Sequence, residues 1–221
     1  MNEAQARDEI CRVGRSLFER GYVHATAGNI SCLLDDGSVL ITPTDACLGL
    51  LDPAALARVD AGGAHVAGDR PSKTLALHAR IVQEARRHDP ATRCVLHTHS
   101  RHCVALSFCA VGPELLAPIT PYFVMKVGHV PHVPYHRPGA VQAVDDVAAL
   151  VRRYGDAGTP IRALMLSRLG PVAWHETPAA AMAVLEELEE TARLTLLAKP
   201  APQPLDEAAI ADLRATFDAR W

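Results

Sequence analysis

Segments with the periodicity of helices alternate with segments of strand-forming residues along the whole chain, and this alternation restricts the fold most strongly. Apolar residues recur at helical spacing in residues 8–21 and 178–199, whereas β-branched and apolar runs occupy residues 38–42 and 93–99. No change of composition or internal repeat divides the 221 residues. The pattern therefore predicts one α/β domain that covers residues 1–221.

Local signals indicate where several elements begin or turn. Asp36-Gly37 lies between two strand-type runs and is typical of a β-hairpin. Ser72 precedes an amphipathic segment and is predicted to cap the helix that begins there. Gly170-Pro171 is predicted to form the turn between two further strands.

Composition and charge exclude several classes of protein. The chain has 22 Lys and Arg against 25 Asp and Glu, a net charge of −3, so it lacks the concentrated basic surface of a nucleic-acid-binding protein. No apolar run is long enough to span a bilayer, and the first eight residues are too polar to begin a signal peptide. The six cysteines include no C-x-x-C pair and are expected to be reduced thiols. We therefore predict a cytoplasmic protein with neither nucleic-acid nor membrane partners.

Histidine is unusually frequent, since 11 His outnumber the 4 Phe, 4 Tyr and 2 Trp together. His97 and His99 belong to the strand-type run RCVLHTH, so their side chains are expected on one face of a strand. Their Cα atoms would then lie about 7 Å apart, which allows both rings to reach one ion at roughly 2.0–2.1 Å. Imidazole pairs of this kind suit zinc, manganese, iron or cobalt.

The spacing of this pair alone slightly favours another interpretation. An H-x-H pair is short and common, and it occurs on polar strand edges that bind nothing. A catalytic metal also needs a third protein ligand, which the neighbouring sequence does not supply.

A series of motifs carries more information than the histidine pair. They are ATAGNIS at 25–31, ITPT at 41–44, GDRPSK at 68–73, HTHS at 97–100, TPYFVMKVG at 120–128 and VPYHRPG at 133–139. In this order they resemble the class II aldolase/adducin family, and most closely the pattern of its 3-oxo-tetronate 4-phosphate decarboxylases and L-fuculose-phosphate aldolases. The resemblance implies a three-layer α/β/α fold whose central, mainly antiparallel sheet is flanked by helices. It also implies a homotetramer with active sites between subunits and a small-molecule substrate.

The resemblance further implies a divalent metal ion, zinc or manganese with iron as an alternative, held by three histidines. His97 and His99 match the first two of these ligands, and Tyr122 matches a proton donor that comes from the neighbouring subunit. The substrate pocket corresponds to four polar residues: Asn29, Thr44, Ser72 and Lys73. Without the family context, Tyr122 would be interpreted as a packed aromatic residue, and Asn29 and Thr44 as ordinary turn residues.

Four positions depart from the family pattern. Leu169 stands where the third metal-binding histidine is expected, and Thr74 stands where the family has its acid/base glutamate. Asp45 replaces a glycine beside the expected phosphate pocket, and Leu33 replaces an arginine. A carboxylate at 45 opposes the binding of a phosphate, so the substrate is expected to lack one.

Other histidines are weaker candidates for the third ligand. His175 is too far along the chain from Leu169, whereas His102 is close enough to His99 to lie nearby. The group in HVPHVPYH, at residues 129–136, is expected to belong to a solvated polar strand, with a shared site at a subunit boundary as the alternative.

Three hypotheses follow from the sequence. The first is a metal-dependent carbon–carbon lyase, either an aldolase or a decarboxylase, with an altered substrate. The second is a catalytically degenerate, adducin-like interaction module. The third is a metal-dependent oxygenase on the same fold.

Overall fold

In the computed structural model, which describes residues 1–110 and 112–221, eight strands form one sheet and six α-helices pack around it. The strands are β1 (Asn29–Leu33), β2 (Val39–Ile41), β3 (Ala57–Val59), β4 (His65–Ala67), β5 (Cys94–His97), β6 (His132–Val133), β7 (Ala163–Leu166) and β8 (Gly170–His175). The helices are α1 (Glu3–Glu19), α2 (Leu75–Ala85), α3 (Arg101–Ser107), α4 (Val141–Asp156), α5 (Pro178–Leu197) and α6 (Glu207–Phe217). None of the helices in the described residues is both long and apolar enough to cross a membrane.

The order of the strands across the sheet is β4-β3-β2-β1-β5-β8-β7-β6. Every neighbouring pair is antiparallel except β6 and β7, which run parallel. This confirms the predicted fold class, a mainly antiparallel sheet flanked by helices.

Alternation along the central strands separates two hydrophobic cores. On β5, Cys94 and Leu96 join the core that includes α1, α3 and α5, whereas Val95 points to the core formed with α2 and α4. Full burial of an aliphatic side chain such as Leu96 contributes about 1.5–3 kcal/mol. His97 follows the same alternation, so its side chain lies on the α2 and α4 face of the sheet.

The predicted hairpin at Asp36-Gly37 is confirmed, since β1 and β2 pair around it. The prediction that Ser72 caps a helix is wrong, because α2 begins at Leu75 and Thr74 is the N-cap residue. Ser72 is held instead beside the sheet, where its N–H donates to the Thr42 carbonyl at 3.2 Å.

The prediction of a turn at Gly170-Pro171 is also wrong, because both residues lie in β8. The chain reverses at residues 167–169, where Arg168 adopts a φ of +65°. Gly170 then passes so close to the end of β5 that a Cβ atom there would lie 1.9 Å from the Thr98 carbonyl oxygen. Tertiary contact therefore fixes this turn earlier than the local Gly-Pro signal suggests.

Candidate active site

A cavity of about 400 Å³ opens on the α2 and α4 face, where β1 begins and β5 ends. Six of the residues predicted from the sequence line it: Asn29, Thr44, Ser72, Lys73, His97 and His99. Tyr122 does not line this cavity; it is 61% exposed and lies in a separate groove with Lys126 and His175. Within the described residues, a role for Tyr122 in this cavity therefore requires a second copy of the chain.

His97 is the last residue of β5 and is almost fully buried, with 6% of its surface exposed. Its Nδ1–H donates to the Pro171 carbonyl on β8 at 3.0 Å, which leaves Nε2 as the unprotonated nitrogen. Burial and the neighbouring His99 lower the pKa of His97 to about 4. The ring is therefore neutral at physiological pH, which is the state that binds a metal.

His99 lies beyond the end of β5, in the connection to α3, so the prediction of both histidines on one strand is only half right. The two rings still meet, with centroids 5.0 Å apart. Two imidazoles bound to one ion at about 2.0–2.1 Å with tetrahedral angles have centroids roughly 5 Å apart. Burial lowers the pKa of His99, and His24 lowers it further. The pair therefore has the spacing and the protonation state of two metal ligands.

The described residues provide no third protein ligand arranged with the two histidines. Leu169 lines the same cavity as the two rings, and its side chain has no donor atom. In residues 1–110 and 112–221, no three His, Cys, Asp or Glu side chains are arranged to hold a metal ion together. The residues of this cavity thus fit a divalent ion with two imidazoles and leave its remaining positions to other ligands.

Asn29 is the first residue of β1 and pairs in register with His97. It is only 8% exposed, and its Oδ1 atom has no hydrogen-bond partner. An unpartnered amide oxygen is costly in a protein interior. Its position on the cavity wall makes it a candidate contact for a bound substrate.

Another wall of the cavity is formed by the segments that contain Thr44 and Ser72, and hydrogen bonds join these two segments. The Thr44 hydroxyl donates to the Pro71 carbonyl at 2.8 Å, and the Thr44 N–H donates to the Arg70 carbonyl at 2.9 Å. Ser72 Oγ and Thr74 Oγ1 lie 3.0 Å apart. The wall therefore presents hydroxyl groups to the cavity at the start of α2.

The charged side chains around the cavity are few. Lys73 and Arg137 provide positive charge, whereas Asp45 is the one carboxylate among its described lining residues. Asp45 adopts a φ of +60°, a conformation that favours glycine. Two cationic groups against one carboxylate suit a substrate with a carboxylate of its own.

Sequence reasoning overlooked some of the residues near the histidine pair. Arg137 lines the cavity from the segment after β6, and it belongs to the VPYHRPG motif, which was the available signal. His136, already considered within HVPHVPYH, lines it too, and its Nε2 lies 2.7 Å from Asp146 Oδ2. The ring of His24 lies 6.2 Å from that of His99, and no motif marks this residue.

The remaining candidate histidines serve other contacts. His102 Nδ1 lies 2.8 Å from the buried Glu189 carboxylate on α5, and this ring does not line the cavity. His129 is bonded to Glu114 and stacks on Trp221. The expectation of one solvated strand over residues 129–136 is wrong, because β6 covers only His132–Val133 and both Val130 and Val133 are buried. Of the three histidines in this segment, His136 lines the cavity.

Comparison with known proteins identifies the family of this chain. The family described as Class II Aldolase and Adducin N-terminal domain matches residues 8–196. A 3-oxo-tetronate 4-phosphate decarboxylase of Cupriavidus necator is 48% identical over 226 aligned residues, which cover 99% of this chain and 99% of that protein. An L-fuculose phosphate aldolase of Methanococcus vannielii is 31% identical over 186 residues, which cover 84% of this chain and 93% of that protein.

Solved structures agree as well. The crystal structure of YgbL from Escherichia coli superposes with a TM-score of 0.85 at 40% identity, covering 96% of this chain and 99% of that one. An L-fuculose 1-phosphate aldolase structure superposes with a TM-score of 0.81 at 21% identity, a likeness of fold. The family match at residues 8–196 extends across the segments that build the cavity.

Proposed function

This chain belongs to the class II aldolase and adducin family, and we propose that it is a metal-dependent carbon–carbon lyase that decarboxylates a small 3-oxo acid. The observation that carries the proposal is the pair of neutral imidazoles, 5.0 Å apart, beside the unpartnered amide of Asn29. Relatives with 3-oxo-tetronate 4-phosphate decarboxylase activity support the choice of reaction class.

Divalent metal ions are general to this family, and His97 and His99 are the residues that would hold one here. When bound, such an ion supplies an electrophile that stabilises negative charge on a substrate oxygen. We propose zinc or manganese, with iron as the alternative that fits two imidazoles. The Pro171 carbonyl keeps His97 in the tautomer that leaves Nε2 for this task.

The other polar groups of the cavity would bind and orient the substrate. The Asn29 amide would contact a substrate oxygen beside the histidine pair, and Lys73 and Arg137 would attract the negative carboxylate. The hydroxyls of Thr44 and Ser72 would contact the far end of the substrate. This assignment gives the unpartnered Asn29 amide and the two cationic side chains, Lys73 and Arg137, a partner.

The choice of decarboxylation over aldol cleavage rests on position 74, where Thr74 stands in place of the expected acid/base glutamate. Cleavage of an aldol needs a base that removes a hydroxyl proton, and the Thr74 hydroxyl is a poor base. Loss of CO₂ from a 3-oxo acid breaks the bond to the carboxylate carbon and leaves the electron pair in an enolate, with no proton removed. Decarboxylation therefore makes the smaller demand on these residues.

The enolate must then accept a proton on carbon. Tyr122 is exposed outside the cavity, so we propose that it enters the cavity of a neighbouring subunit and donates this proton. Such an arrangement requires an assembly, and we propose the homotetramer of the family resemblance. Each site would then be completed at a subunit boundary.

We further propose that the substrate lacks the phosphate of its relatives' substrates. Asp45 sits among the lining residues on the side where the resemblance places the phosphate pocket. A carboxylate a few Å from a phosphate opposes binding by about 1 kcal/mol or more. The far end of the substrate is accordingly expected to be a neutral hydroxyl group.

The test compares three substrates with one preparation of the full chain, loaded in turn with zinc, manganese and iron. Release of CO₂ from 3-oxo-tetronate and from its 4-phosphate is measured alongside cleavage of L-fuculose 1-phosphate. We expect CO₂ release, faster from the unphosphorylated acid, and loss of both activity and bound metal in His97→Ala. Binding of no metal, with no turnover, would indicate an interaction module instead, and oxygen consumption with iron would indicate an oxygenase.

A further inference from the structure

His136 lines the same cavity as His97 and His99, and a carboxylate holds its ring. Its Nε2 atom lies 2.7 Å from Oδ2 of Asp146, a residue of α4. Asp146 itself is not among the residues that line the cavity. The pair therefore combines an imidazole on the cavity wall with a carboxylate outside the cavity.

Both members of this pair are carried by backbone that is fixed. The strand before His136, β6, pairs with β7, and the Ser167 N–H donates to the Val133 carbonyl at 3.1 Å. The Ala140 N–H then donates to the Arg137 carbonyl at 3.1 Å, which closes a turn directly before α4. Next to Asp146, Val147 anchors α4 in the core. The His136 side chain is only 22% exposed, so few orientations of its ring are open to it.

The hydrogen bond to Asp146 decides which ring nitrogen of His136 can meet a ligand. A carboxylate only accepts hydrogen bonds, so Nε2 carries the hydrogen atom that is donated to it. In the neutral ring, Nδ1 is then unprotonated and acts as an acceptor. The carboxylate thus fixes the tautomer in which His136 offers a lone pair to the cavity.

An acceptor on the cavity wall favours a substrate group that can donate. Lys73 and Arg137 are donors only, so they suit the substrate carboxylate and cannot bind a hydroxyl hydrogen. The Thr44 hydroxyl already donates its hydrogen to the Pro71 carbonyl. A substrate hydroxyl group would donate to Nδ1 of His136, whereas a keto oxygen or an ionised phosphate oxygen offers only lone pairs.

We propose that His136, oriented by Asp146, determines the specificity of this site by accepting a hydrogen bond from a hydroxyl group of the substrate. The substrate class is therefore a 3-oxo acid that carries at least one hydroxyl group. This inference rests on the proposed decarboxylase function. A site that binds a hydroxyl group discriminates strongly against the analogue without it, because the acceptor of the protein would lose its partner.

The experiment compares two acids that differ only in hydroxyl groups. In 3-oxo-tetronate both carbons next to the keto group carry one, and in 3-oxobutanoate neither does. CO₂ release from each acid is measured with the metal-loaded full chain, and the rate with free metal alone is subtracted. The bound metal of every protein is measured in the same preparation.

The variants are His136→Phe, His136→Gln and Asp146→Ala. His65→Phe is the matched control, because His65 is exposed on β4 and does not line the cavity. Circular dichroism and thermal melting check that each protein is folded. If His136→Phe does not fold, Asp146→Ala decides the comparison.

We expect the unaltered chain to prefer 3-oxo-tetronate by at least about 100-fold in kcat/KM. His136→Phe should lower kcat/KM for this acid by at least about tenfold and that for 3-oxobutanoate by less than about twofold, since the second acid has no hydroxyl contact to lose. His136→Gln should keep most of the preference, because its amide oxygen accepts the same hydrogen bond. Asp146→Ala should reduce the preference less than His136→Phe does, and His65→Phe should leave it unchanged.

Two results overturn the inference while the decarboxylase function stands. One is an unaltered chain that releases CO₂ equally fast from both acids, or a His136→Phe variant that lowers both activities equally or neither. The other is loss of bound metal in His136→Phe, which would make this residue a metal ligand. Release of CO₂ from neither acid by the unaltered, metal-loaded chain would overturn the proposed function, and the inference with it.

Discussion

Asn29 and His97 lie directly opposite each other on the antiparallel strands β1 and β5, and both side chains line one cavity. The register of this strand pair therefore places an unpartnered amide oxygen next to a neutral imidazole. Two positions further along β1, Ser31 has the same orientation, but its hydroxyl is bonded to the buried His78. One strand face thus carries a candidate substrate contact and a structural hydrogen bond side by side.

Substitutions of Asn29 and of Ser31 should have opposite effects on stability and on activity. Asn29→Ala removes an amide oxygen that has no partner in the folded chain, so we expect stability to change by less than about 1 kcal/mol. The same variant should lower kcat/KM for decarboxylation by at least about tenfold, because the substrate loses a contact next to the reacting atoms. Urea denaturation and CO₂ release measure the two effects.

Ser31→Ala is the matched control for Asn29→Ala. It leaves Nδ1 of His78 buried without a partner and should cost about 1–3 kcal/mol of stability. Its kcat/KM should stay close to that of the unaltered chain, since Ser31 does not line the cavity. Loss of stability without loss of activity in Asn29→Ala would contradict the assigned role.

Position 45 is predicted to control preference between phosphorylated and unphosphorylated substrates. Asp45→Asn removes the charge and keeps a residue that tolerates a positive φ, whereas Asp45→Gly also relieves the backbone. Both variants should raise kcat/KM for 3-oxo-tetronate 4-phosphate about fivefold or more relative to the unphosphorylated acid, as the repulsion is removed.

The two variants should differ in stability alone. We expect Asp45→Gly to alter the unfolding free energy by up to about 1 kcal/mol through the backbone, and Asp45→Asn to alter it less. If neither changes the ratio of the two substrates, the carboxylate is not close enough to the bound phosphate to repel it.

The fold could be predicted from the sequence wherever local periodicity and tertiary packing agree. The alternation of helical and strand-type segments, and the Asp36-Gly37 hairpin, satisfy both. The start of α2 and the turn before Gly170 were mispredicted because contacts between distant segments decide them. No pattern within a few residues of Ser72 reports that its N–H bonds to the Thr42 carbonyl.

The residues of the candidate site could likewise be predicted only where a local pattern or the family resemblance marks them. His97 and His99 stand out because two residues of one short segment supply both rings. Asn29 and Thr44 are common in turns, and only the family resemblance distinguished them. Arg137 comes from a loop that the order of the sheet brings to the cavity, and that order cannot be derived from the local sequence.

A mixing experiment tests the proposed contribution of Tyr122 across a subunit boundary. Tyr122→Phe should lower kcat with little change in stability, because the side chain is exposed. His97→Ala should be inactive through loss of the metal. Unfolding and refolding the two variants together should restore about a quarter of the sites, those that combine an intact cavity with an intact tyrosine from the neighbour.

The control for this mixture is each variant refolded alone, which should stay at its own low activity. If Tyr122→Phe is fully active, the tyrosine is not the proton donor. If the mixture has only the mean activity of its two components, any role of Tyr122 lies within its own subunit.

The buried histidines predict how stability depends on pH. Burial, with a smaller contribution from His97, lowers the pKa of His78 from its ordinary 6.5 to about 3. Between these values the unfolded chain binds a proton that folded His78 does not, so stability is fully present above pH 6.5 and falls as the pH decreases. Each such group contributes a slope of up to about 1.4 kcal/mol per pH unit, and His97 adds a second between 6.5 and about 4.

The variant His78→Gln removes the titration of this one residue from the pH dependence. The glutamine amide replaces the imidazole as the partner of the Ser31 hydroxyl and does not titrate. Urea denaturation of the metal-free chain between about pH 7 and pH 5 should give a slope shallower than that of the unaltered chain, by a difference that grows to about one proton at pH 5. The comparison uses slopes, since the substitution also changes stability at every pH. Equal slopes in the two proteins would show that His78 is protonated in the folded state or accessible to solvent, and the buried imidazole beside the site would then have no part in the acid sensitivity of the fold.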